Sequence, residues 1–154
     1  MNTLESFRRF LLVVIFLGLL GIEAELLIER HTETIWHWIP IVLVALALLL
    51  LGWLVSARRA VPIRAWQVLM LAFVVSGFAG TGLHWRGKIE FKHDTDPSLS
   101  GVRLWWEAMK SQSPPALAPG AMIQLGLLGL VYAYRHPALP AKSKDISEDR
   151  GEDK

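Results

Sequence analysis

Apolar residues fall in four blocks along the chain, roughly 10–28, 39–55, 65–83 and 117–134, and the charged residues lie almost wholly between them. Each block holds roughly 17 to 19 residues, which at about 1.5 Å of rise per residue covers about 26–29 Å, close to the ~30 Å hydrocarbon core of a bilayer. The stretch from Ile39 to Val55 carries no strongly polar side chain. A helix apolar all round at that length is rare on the surface of a soluble protein and ordinary in lipid. The pattern predicts an all-α, integral membrane four-helix bundle.

The polar intervals fit this frame. Trp36 to Pro40 and Ser56 to Pro62 each place a proline where a helix should open, because the residue before proline is biased away from helix and proline is tolerated in a first turn. Residues 84–116 read as the longest loop. Within it Asp96-Pro97 looks like a cap and first-turn pair, and Leu99, Val102, Trp106 and Met109 recur at helical spacing. That predicts a short amphipathic helix over about 97–110, lying in the interface of the second outer loop. Residues 1–136 should form the four-span domain. The stretch 137–154 is highly charged without apolar periodicity, which predicts a disordered cytoplasmic tail.

Charge orients the frame. With four spans, Arg8, Arg9, Arg58, Arg59, Arg64, Arg135 and the four basic residues of the tail fall on one side. Arg30, Arg86, Lys88, Lys92, Arg103 and Lys110 fall on the other, mostly in the one long loop, where charge counts for less. Both termini are therefore expected in the cytoplasm, in a bacterial-type inner membrane. Trp36, Trp38, Trp85, Trp105 and Trp106 would form the outer aromatic belt and Trp53, Trp66, Tyr132 and Tyr134 the inner one. Arg8-Arg9 followed by an apolar run resembles a signal peptide, but Gly21 to Glu25 offers no small-x-small cleavage site, so the first span is expected to be retained.

Composition narrows the chemistry. The chain of 154 residues contains no cysteine, which excludes thiol catalysis, disulfides and thiolate-held zinc or iron–sulfur centres. A net charge of +2, spread along membrane edges, gives no nucleic-acid footprint. No nucleophile motif, P-loop or dinucleotide fingerprint is present, so a non-enzymatic role is the expectation.

The polar residues that remain gather at the outer side. Glu25, Glu29 and Glu33 recur every four residues, and on a continuing helix they form one mutually repelling stripe. Glu23 points about 160° away from Glu25 at 3.6 residues per turn. Ala72, Ser76, Gly80 and His84 form a small-residue face expected to pack on a neighbouring helix, which would carry His84 with it. Glu25, Glu29 and His84, supported by His37 and Gln124, form a candidate metal set of carboxylate oxygen and imidazole nitrogen, suited to a divalent cation or to proton handling. Haem held by His37 and His84 is the weaker cofactor expectation. Glu90-x-x-His93 matches a di-iron ligand pair, but it occurs once and in an expected loop. The plainer alternatives are a solvated acidic helix end, an interfacial histidine and an interhelical amide. A non-catalytic accessory or scaffold subunit, contacting lipid and a membrane partner or a second copy of itself, is the alternative role.

Overall fold

A computed structural model of the chain describes residues 3–28, 35–57, 59–110 and 117–139. Five helices occupy them: α1 (Thr3–Ile28), α2 (Ile35–Ser56), α3 (Ala60–Thr95), α4 (Gly101–Lys110) and α5 (Leu117–Ala133). No strand occurs among the described residues. Glu29, Glu33, the side chain of Trp36, Arg58 and the tail beyond residue 139 lie outside them.

By length and composition α1, α2 from His37 and α3 can each cross a membrane, whereas α5 is apolar but only 17 residues long. The helices form a ring in chain order. α1 packs on α2 and α5, and α3 packs on α2 and α5. The diagonal pairs α1–α3 and α2–α5 make no close approach. α4 touches only α3.

The tightest seam runs between α3 and α5. On α3 it is made by Trp66, Met70, Phe73 and Gly77, all buried, at the four- and three-residue spacing of one helix face. On α5 Gly126 and Gly129 receive them, since a Cβ on Gly126 would stand 2.8 Å from the Met70 carbonyl oxygen. Large side chains on one helix thus fill glycine hollows on the other. In lipid this packing, rather than escape from water, is what favours association. Of the expected small-residue face, Gly80 meets the Pro119 ring of α5, where a Cβ would stand 3.2 Å from Cγ, while Ala72 and Ser76 are half-buried beside the seam.

The third helix also outruns its expected end. The sequence pattern ends the span at Leu83, yet α3 continues to Thr95, giving 36 residues and roughly 54 Å at ~1.5 Å each. Charge marked 84–95 as loop. In the helix those charges are arranged to support it: the Arg86 Nε–H donates to Glu90 Oε1 at 2.7 Å, four residues on. The helix stops where Pro97 forbids continuation. Asp96 then accepts hydrogen bonds from the Ser98 N–H at 3.1 Å and the Ser98 hydroxyl at 2.6 Å, forming the turn. Those bonds hold the Asp96 carboxyl below its ordinary pKa. Gly101, at φ +55, opens α4 in the left-handed region that favours glycine. The amphipathic helix therefore begins at Gly101 rather than at 97. It folds back on α3, with Leu99 and Ala108 buried and the Trp105 ring 5.2 Å from that of Trp85, tilted by 49°.

At the opposite end, Arg8 of α1 ties down α5. Its Nη2 donates to the carbonyls of Tyr134 at 3.2 Å and Arg135 at 3.0 Å. Arg135 sits at φ +47, the left-handed stop that commonly ends a helix. A cation over the last carbonyls also suits the negative end of the helix dipole.

Candidate functional site

The ring leaves an opening where α2 and α5 stand apart, over the second half of α3. Here lies a groove of about 1140 Å³. Its depth is set by α3, which lends mostly small or aliphatic residues: Ala72, Val75, Ser76, Ala79, Gly80 and Leu83. One wall is α2, through Ile39, Pro40 and Leu43, and the other is the start of α5, through Ala118, Pro119 and Met122. Leu26 of α1 closes the back. Pro119 falls in the first turn of α5, where the missing N–H costs no helix bond, so its ring can face the groove and Gly80.

The chemistry of the lining changes along α3. From Ala72 to Leu83 only the Ser76 hydroxyl is polar. Beyond Leu83 come His84, Lys88 and Lys92, four residues apart on one helix face, with Gly87 and Phe91 beside them and His37 across on α2. All ionisable groups among the described lining residues are basic. Lys88 and Lys92 are half-buried, and no ion pair within the described residues engages either.

The outer polar residues singled out in the sequence therefore separate. His37 and His84 share the groove. Glu25 is half-buried on α1 and does not line it, Gln124 is exposed on the far face of α5, and Glu29 lies outside the described residues. Among the described residues, no three of His, Asp or Glu come together as a set able to hold a metal ion. Glu90 and His93 sit on the α3 helix rather than in a loop, but Glu90 is engaged by Arg86 and both are exposed.

No family model, curated protein or solved structure matches the chain. The site must be read from its own geometry.

Two groups escaped the sequence reading. Lys88 and Lys92 were assigned to a loop, so their register with His84 had no meaning until α3 proved continuous. Glu23 was set aside as pointing away from the acidic stripe, yet its Oε2 is buried and has no hydrogen-bond partner in the structure. A signal for it was present: Glu23 follows Leu19 by four and precedes Leu26 by three, so it flanks the buried stripe of α1.

Proposed function

We propose that this chain is a four-span membrane protein with both termini in the cytoplasm, and that it binds an amphiphilic molecule of the bilayer in the α2–α3–α5 groove. α5 serves as the fourth span. Its 17 residues reach the lower limit for crossing, and its inner end is held level with that of α1 by Arg8. Large apolar residues exposed around the ring, among them Phe10, Leu17, Leu49, Val68, Val75 and Leu127, suit a lipid surround. Exposed Val102, Trp105, Trp106 and Met109 on α4 suit the headgroup layer.

The observation that carries the binding reading is the division of the groove by depth. An apolar pocket with a few convergent polar groups is the usual form of a small-molecule site. Here the apolar part lies alongside the span and the polar part above it. The role is binding or carriage, with no catalytic group required. Purified in mild detergent, the wild-type chain should retain a stoichiometric amphiphile that native mass spectrometry detects, and Ala79→Phe, which fills the groove, should lose it. An equal load on both proteins refutes the reading. Because the chain lacks cysteine, single cysteines introduced at Ser98 and Ser56 report topology directly, with membrane-impermeant label expected only at position 98 in intact cells.

Haem is a second reading, favoured by one observation: His37 and His84 line the same groove. A purified protein without a Soret band excludes it.

A further inference from the structure

We propose that the groove selects a lipid with a net-negative phosphate headgroup, its tail lying along Ala72 to Leu83 and its head held by Lys88 and Lys92. This rests on the amphiphile-binding reading above and specifies the ligand.

Length fits first. Ala72 to Leu83 spans about 16 Å of helix at ~1.5 Å per residue, about half of a ~30 Å hydrocarbon core. The apolar section thus matches a tail from one leaflet. His84 then falls at the depth where headgroups begin, with Lys88 and Lys92 above it on the part of α3 that outruns the span.

Charge fits next. Every ionisable group among the described lining residues is basic. Of the nearby carboxylates, Glu90 pairs with Arg86, while Asp96 is hydrogen-bonded by Ser98 and feels the charge of Lys92 without forming an ion pair with it. Two lysines four residues apart on a helix repel each other, and an anion between them reverses that term. Their aliphatic stems can lie along the apolar wall while the ammonium groups reach the head. A headgroup phosphodiester presents two charged oxygens above the tail, so ammonium groups one helical turn apart on α3 can each meet one.

The test uses the full chain in a neutral detergent, with native mass spectrometry as the readout. Four probes are titrated: phosphatidylglycerol, phosphatidylcholine with the same acyl chains, oleate and inorganic phosphate. Phosphatidylglycerol should bind about thirtyfold tighter than phosphatidylcholine, the margin expected from two lysines near a charged headgroup. The double variant Lys88→Gln, Lys92→Gln should erase that margin and leave phosphatidylcholine unchanged. Ser76→Phe, or Ala79→Phe if the first does not fold, should abolish both lipids. Equal binding of the two lipids by the wild type, both blocked by groove filling, overturns the headgroup assignment and leaves the groove reading standing. So does a margin that survives loss of the lysines. Oleate or inorganic phosphate binding as tightly as phosphatidylglycerol also overturns the assignment. If neither lipid is retained, or groove filling changes nothing, the amphiphile-binding reading falls and this proposal with it.

Discussion

The indole Nε1–H of Trp66 donates a 3.0 Å hydrogen bond to the carbonyl oxygen of Gly129, buried between α3 and α5. The missing side chain at 129 is what admits the ring, since a Cβ there would stand 3.1 Å from Nε1 and would collide with Met70. Trp66→Phe should cost roughly 0.6–1.7 kcal/mol, the range for interhelical hydrogen bonds in membrane proteins. Gly129→Leu should cost more, about 1–3 kcal/mol, because it overfills a packed seam. Unfolding of the two variants in detergent or bicelles measures both, and a Gly129→Leu protein as stable as wild type would contradict the seam.

Gly77 and Gly82 should respond to alanine in opposite directions. A Cβ on Gly77 would lie 2.7 Å from the Pro119 carbonyl oxygen, a backbone atom that cannot swing away. Gly77→Ala should therefore destabilise by about 1–3 kcal/mol as the helices are pushed apart. Nothing lies within 4 Å of a Cβ on Gly82, so Gly82→Ala should gain roughly 0.5–1 kcal/mol from helix propensity alone. Thermal unfolding of the pair, run side by side, checks the sign as well as the size.

Arg8 should govern the order of the turn after α5. Arg8→Ala removes both donors from the Tyr134 and Arg135 carbonyls, and hydrogen exchange at the His136 and Leu139 amides should then quicken. Arg8→Lys should restore this only in part, since a single ammonium does not reproduce the planar guanidinium fork. Unchanged exchange in Arg8→Ala would show that the turn stands without it.

The same turn should respond to pH. The His136 Nδ1 accepts the Ala138 N–H at 3.2 Å, and its Nε2 lies 3.3 Å from the Tyr132 hydroxyl. Burial, and then the nearby Arg8 charge, push the His136 pKa below its ordinary 6.5. The folded turn thus prefers the neutral ring. Its contribution is complete above about pH 6.5, the unfolded value, and fades as pH falls toward the lower folded value. Protection of the Ala138 amide, taken against its intrinsic exchange rate at each pH, should fall below pH 6.5 in the wild type and stay level in His136→Asn. An acid response identical in both proteins would place the titrating group elsewhere.

Glu23 should prove replaceable. Its Oε2 is buried without a hydrogen bond, an arrangement that typically costs about 1–3 kcal/mol. Glu23→Leu should raise the unfolding temperature. A fall would show that the carboxyl has a partner, such as a bound cation.

Much of the helical plan is legible in the sequence because lipid-sized apolar blocks are a one-dimensional signal. Three of the four expected spans coincide with helices long and apolar enough to cross a membrane, and the fourth coincides with the shorter apolar helix α5. Two features resisted. Residues 84–95 of α3 read as loop because Arg86, Lys88, Glu90 and Lys92 suppress hydropathy, while the Arg86–Glu90 pair and the contact with α4 that accompany the helix are not visible in a hydropathy pattern. The seam was legible only in part: Gly80 of the small-residue face meets Pro119 of α5, but the buried bulk of Trp66, Met70 and Phe73 that faces Gly126 and Gly129 depends on the partner helix and has no signal in α3 alone. Of the candidate site, the two histidines of the groove were legible, whereas Lys88 and Lys92 needed the true helix length.

The ring has an implication for how the protein is made. α5 follows α1, α2 and α3 in the chain, and until it is made α1 and α3, which do not touch each other, are joined through α2 alone. Until it arrives, the nascent chain is an open row of three helices, with Trp66, Met70 and Phe73 lacking the neighbour that buries them. Closure is thus a late step of biosynthesis, and a chain cut short before Leu117 should remain a target for quality-control proteases however well its first three helices insert.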